Sequence, residues 1–172
     1  MSRFDVTVNE DVADTVKLIN KDWYPGKIVE AEASAGISEK NDTPWVRLTL
    51  KVIFGSPEIQ EQTGRDEVPQ FYTPRIFLDK KGKLLVNSSP ELGKLLKLCG
   101  ISLKDPELKD TLETGLDEAK TLEESLVIYY ENIGSLMEGV KLMFYIDQEK
   151  NYRDKTQKVN CVSKLAKLPD EN

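Results

Sequence analysis

The chain of 172 residues is 39% hydrophobic and 31% charged, a composition that fits one soluble globular domain or one domain carrying an insertion. It has no histidine, and its two cysteines, Cys99 and Cys161, stand far apart, which removes the commonest general base and every Ser-His or Cys-His arrangement and argues against a zinc site; we expect no metal, no cofactor and no enzymatic activity. No apolar run approaches the roughly 20 residues of a membrane span, and MSRFDVTVNEDVADTV lacks the basic start and apolar core of a signal peptide, so a reducing, cytoplasmic location and no membrane partner are expected.

Residues 1–22 are polar and mildly acidic and read as an N-terminal arm. Within it NEDVADTVKLI fits a short helix with Val12, Val16 and Ile19 on one side, or a lead-in segment. Trp23-Tyr24-Pro25-Gly26 reads as a turn, because proline fixes φ and glycine allows positive φ. KIVEAEA follows as a first strand and SAGISEKNDTP as a loop. The second strand, 45–54, alternates Val46, Leu48, Leu50 and Val52 against Trp45, Arg47, Thr49 and Lys51. The first set is a core face. Folding does not require the second, a large indole beside two cations on the water side.

GSPEIQEQTGRDEVP reads as a polar loop or irregular hairpin connection, and 70–78 as a third strand. Pro74 cannot donate to a ladder, so this strand is an edge, bent or bulged. Phe71, Thr73, Arg75 and Phe77 share one face unless a bulge intervenes. The cationic turn DKKGK follows, with Lys80, Lys81 and Lys83. SSPELGKLLKLCG starts like a helix: Ser88 or Ser89 as cap, Pro90 in the first turn, a stripe of Leu92, Leu95, Leu96 and Cys99, and Gly100 as the stop.

Residues 102–138 read as further helix, with LVIYY fitting either a helix or a short strand. The segment 101–138 holds three lysines and ten acids. The net charge of −6 is therefore concentrated there, and the remaining 21 basic and 20 acidic residues are balanced enough for a local basic groove. VKLMFYIDQ alternates Val140, Leu142, Phe144 and Ile146 against Lys141, Met143, Tyr145 and Asp147. EKNYRDKTQ is a polar link, KVNCVSKL a last strand, and 166–172 a short loose tail.

Five strands with helices inserted before the last two predict a mainly β fold, an OB-fold-like five-stranded Greek-key barrel over 23–165 with an acidic helical insertion at about 101–138. Another small barrel or an α+β sheet shares the same pattern.

The segments YPGKIVEAE and WVRLTLKV, then LGKLLKLCGI, then GVK with YRDK and KVNCV, follow one another in an order that resembles phage-encoded single-stranded DNA-binding proteins with an OB-fold. The likeness spans most of 23–165 and rests on turn glycines and strand patterns in sequence order. It implies a non-enzymatic protein that protects single-stranded DNA in replication, recombination or repair, in the host cytoplasm if viral. Many such proteins recruit replication or recombination partners through a long acidic tail. Here the end is only Pro169-Asp170-Glu171-Asn172, and the acids lie in 101–138 instead.

Non-specific binding of single strands needs cations that follow the phosphates and aromatic faces on which bases stack. Trp45, Phe71 and Phe77 are the expected stacking residues, with Tyr145 and Tyr152 adding to the groove. Arg47, Lys51, Arg75, Lys80, Lys81, Lys83, Lys141, Arg153, Lys155 and Lys158 are the expected phosphate contacts. Each has a plainer alternative: Trp45 covering a barrel end, the lysines a solvated hairpin tip, the tyrosines a barrel rim. Trp23 and Tyr24 are expected to plug the barrel entrance. The rival function is that of a phage structural or assembly protein using the same surface for protein contacts.

Overall fold

A computed structural model of the chain describes residues 17–151 and 156–169. Five strands, β1 (Asp22–Ile37), β2 (Pro44–Phe54), β3 (Val68–Tyr72), β4 (Lys141–Lys150) and β5 (Lys158–Ala166), form one antiparallel sheet in the order β3-β2-β1-β4-β5. Helix α1 (Pro57–Thr63) joins β2 to β3, while α2 (Pro90–Leu98), α3 (Lys109–Glu113) and α4 (Leu122–Met137) lie between β3 and β4. In a flat sheet the outer strands would stand about 19 Å apart at the usual interstrand spacing. Instead β3 and β5 approach within 8 Å at their Cα atoms, so the sheet curls strongly, although no ladder joins these two among the described residues.

Strand alternation builds the core. Val46, Leu48, Leu50, Val52 and Phe54 of β2 and Leu142, Phe144 and Ile146 of β4 are buried, and Phe54 meets Phe144 edge to face at 5.7 Å. Helix α4 adds Leu126, Tyr130, Ile133 and Met137 to the same core. It lies close to β1 over the small row Ala31, Ala33 and Ala35, and Gly134 faces Ala31 directly. The acidic stretch 101–138 thus contributes an apolar face to the core, with Glu124, Glu131 and Glu138 on the solvent side.

Several elements depart from the sequence reading. Trp23-Tyr24-Pro25-Gly26 is not a turn but the start of β1, paired with β4 from Asp22↔Ile146 to Lys27↔Lys141. Gly26 answers to space rather than to a turn: a side chain there would strike Val52, Phe54 and Phe144. The strand also takes in Ser34 to Ile37, expected as loop, because β2 pairs with them up to Ile37↔Pro44. β1 pairs with β4 over its first residues, up to Lys27, and with β2 from Lys27 onward, with a bulge in the β1–β2 ladder between Ile28 and Glu30.

The expected polar loop after β2 contains α1, with Pro57 in its first turn, Ile59 buried and Gly64 at φ 72° ending it. The ladder of β3 stops at Tyr72, and Leu78 makes only an isolated bridge to Leu84. LVIYY is helical, within α4, whose N-terminus is capped by the Thr121 hydroxyl accepting the Glu124 N–H. At the expected arm, Ile19 is fully buried: its N–H donates to Asn160 Oδ1 and its carbonyl accepts from Gln148 Nε2. Of the helix suggested by NEDVADTVKLI, residues 9–16 lie outside the described residues, and Lys17, Leu18 and Ile19 are not helical.

Candidate nucleic-acid interface

The outward row of β2 is Trp45, Arg47, Thr49, Lys51 and Ile53. Trp45 is 40% exposed, and the Arg47 guanidinium carbon lies 5.7 Å from the centre of its ring, within cation–π reach. Lys51 faces Phe71 of β3, which is 61% exposed. Thr49 Oγ1 and Thr73 Oγ1 are 3.3 Å apart and share a hydrogen bond.

Beyond Tyr72 the chain keeps its strand-like alternation without a ladder. Thr73, Arg75 and Phe77 remain outward while Pro74 and Leu78 are buried. The first residues of α2 and its flank replace the missing strand. The Arg75 N–H donates to Glu91 Oε2 at 3.1 Å, and the Phe77 N–H donates to Ser89 Oγ at 2.9 Å. Ser89 is 1% exposed, and Arg75 Nε is a further 3.9 Å from Glu91 Oε1. The backbone polar groups are thereby satisfied while Arg75 and Phe77 stay at the surface. Trp45, Arg47, Thr73, Arg75 and Phe77 line one open depression of about 310 Å³.

Directly after Phe77 the chain turns back. The Leu85 N–H donates to the Phe77 carbonyl, and the Lys83 carbonyl accepts from Asp79 N–H. The Asp79 carboxylate accepts the N–H groups of Lys83 and Lys81 at 2.9 and 2.8 Å, which hold its pKa below the ordinary carboxylate value. Gly82 takes φ 85° at the tip. Lys80, Lys81 and Lys83 are exposed on this tied turn.

Tyr145 does not join this group. Its β1 partner is Trp23, whereas the partner of Trp45 is Gly36, about 40 Å along an extended strand. Tyr145 instead meets Trp23 edge to face at 5.6 Å and lies under Lys164 Nζ at 5.1 Å. The sequence reading missed Trp23 and Lys164 there: Tyr24 is buried as expected, but Trp23 points outward. Lys141 faces Lys27 across the β1–β4 pair, and Lys158 is exposed at the start of β5 opposite Lys150. Tyr152, Arg153 and Lys155 lie outside the described residues.

The electrostatics are mixed. Glu30 and Glu32 of β1 stand opposite Lys51 and Thr49, so the cations lie between an acidic strand and the aromatic edge. Burial pushes the Cys99 thiol up to about 11 and raises that of Cys161, leaving both protonated and poorly nucleophilic near neutrality. Among the described residues no group of three or more acids or cysteines is arranged to hold a metal ion, and no helix is long and apolar enough to cross a membrane. No family model, curated protein or solved structure matches the chain.

Proposed function

We propose that the protein is an OB-type Greek-key barrel that binds single-stranded DNA without sequence preference and protects it during replication, recombination or repair of the phage type. Three consecutive antiparallel strands with the fourth returning beside the first, the order β3-β2-β1-β4, support the Greek-key reading. The approach of β3 to β5 supports closure into a barrel. The observation that carries the functional reading is the shared depression of Trp45, Arg47, Arg75 and Phe77, with Phe71 and Lys51 on the same outer surface. Aromatic faces accept any base, and each stacked base contributes roughly 1–3 kcal/mol. The cations beside them would follow the phosphates. Such a surface binds and covers a strand; it carries no group poised for a reaction.

Anisotropy of a labelled thymidine oligomer tests this. Trp45→Ala or Phe77→Ala should weaken binding roughly 5- to 150-fold at every salt concentration, the equivalent of one stacked base. Lys80→Ala should mainly reduce the salt slope. Equal affinity of wild type and Trp45→Ala would sink the stacking assignment. A second reading, an assembly protein using this face for protein contacts, is favoured by exposed Leu85 and Val86 beside Phe77. It predicts a stable oligomer indifferent to DNA.

A further inference from the structure

At the far end of the outer β2 row two lysines oppose each other. Lys27 and Lys141 are register partners across β1 and β4, both exposed, and among the described residues neither makes an ion pair. Like charges directly opposite one another weaken an antiparallel pair, so this arrangement does not serve the fold. The pair borders an open cleft of about 510 Å³, larger than the Trp45 depression, which Val29, Ile53 and Glu67 also line. Lys27 belongs to both ladders, paired with Lys141 of β4 and Ile53 of β2, and two residues on, the β1–β2 register shifts at Val29. Bulges of this kind redirect side chains and open the ladder locally. Of the charged residues lining the cleft, Glu67 is acidic and the other two are the lysines, leaving a net positive charge.

The position of the cleft gives it meaning. Outward residues of β2 run from Trp45 through Arg47, Thr49 and Lys51 to Ile53, which borders it. That path is about 26 Å along an extended strand. Lys51 and Phe71 lie part-way along it. We infer that the Lys27/Lys141 cleft holds a backbone phosphate of the same single strand whose bases stack at Trp45 and Phe77. The inference rests on the function proposed above and extends the bound strand along the whole outer row of β2.

The test is the length dependence of binding by the wild type and by the Lys27→Gln/Lys141→Gln double variant. Thymidine oligomers of about 4 to 16 nucleotides cover the range for one such barrel. Short oligomers should bind both proteins alike. Longer ones should gain affinity only in the wild type, and the double variant's salt slope on them should fall by about 0.7 for each phosphate that is no longer neutralised. Lys97→Gln, on the exposed side of α2, controls for overall charge. Removing the opposed charges should leave the thermal midpoint equal or higher. Identical length dependence and salt slope in both proteins would overturn the inference while leaving the proposed function standing, as would a weakening of equal size at every length. Failure of the wild type to bind any oligomer would instead remove both.

Discussion

The indole of Trp45 lies across Gly36, its partner on β1, so closely that a Cβ on Gly36 would stand 2.7 Å from Cζ2 and 2.9 Å from Cε2. The absence of a side chain on one strand therefore sets where the ring rests on the next, and Arg47 is placed against the same ring. Gly36→Ala should push the indole away. We expect its emission to shift and oligonucleotide affinity to fall roughly 5-fold or more, the lower bound for one stacked base. Unfolding in urea should change by less than about 1 kcal/mol, because the site is at the surface.

Ser89 holds Phe77 by a different device. Its buried hydroxyl accepts the Phe77 N–H where no neighbouring strand is present to do so. Ser89→Ala leaves that donor unsatisfied and should cost about 1–3 kcal/mol. Hydrogen exchange at the Phe77 amide should speed up more than at the amides of β4, and binding should weaken with it.

The close seat of α4 on β1 depends on small side chains. Gly134 faces Ala31, and Leu48 lies beside the same contact. Ala31→Leu forces the helix outward and should destabilise the protein by about 1–3 kcal/mol, as overpacking does. Urea denaturation measures this directly.

Burial, and then the nearby Glu91 charge, push the Tyr72 hydroxyl up to about 12; burial likewise raises Tyr129 and Tyr130. A group whose folded pKa lies above its unfolded value stabilises the fold below the unfolded pKa. That contribution is lost as pH climbs from about 10 toward 12, and for Tyr72 amounts to at most about 3 kcal/mol. Urea midpoints should therefore fall across that interval, and fall less steeply in Tyr72→Phe. An unchanged slope in the variant would mean that Tyr72 ionises in the folded state as it does in the unfolded one.

Strong period-two alternation made β2 and β4 legible from sequence, and Pro90, the leucine stripe and Gly100 did the same for α2. Pro25-Gly26 misled because a glycine required by crowding from Val52, Phe54 and Phe144 carries the same letter as one required by a turn. In α1, Ile59 is the single buried large apolar residue, so the helix gave little periodic signal. The grouping of Trp45 with Arg47 followed from strand period alone. Bringing Arg75 and Phe77 to them depended on Ser89 and Glu91, contacts between segments that no local pattern encodes. Tyr145 shared the outward alternation of Trp45, but only pairing register separates them along β1. Trp23 and Lys164 were missed for the same reason, since their meeting at Tyr145 is a property of the β1–β4–β5 registers.

Intrinsic tryptophan fluorescence during titration with a thymidine oligomer, at low and high salt, tests the central claim most directly. Trp23 and Trp45 are the two indoles, so Trp23→Phe and Trp45→Phe assign the signal. Saturable quenching that weakens with salt, persists in Trp23→Phe and is lost in Trp45→Phe is the predicted result. Absence of quenching at low salt, or quenching undiminished in Trp45→Phe, would contradict a strand stacked on the β2 face.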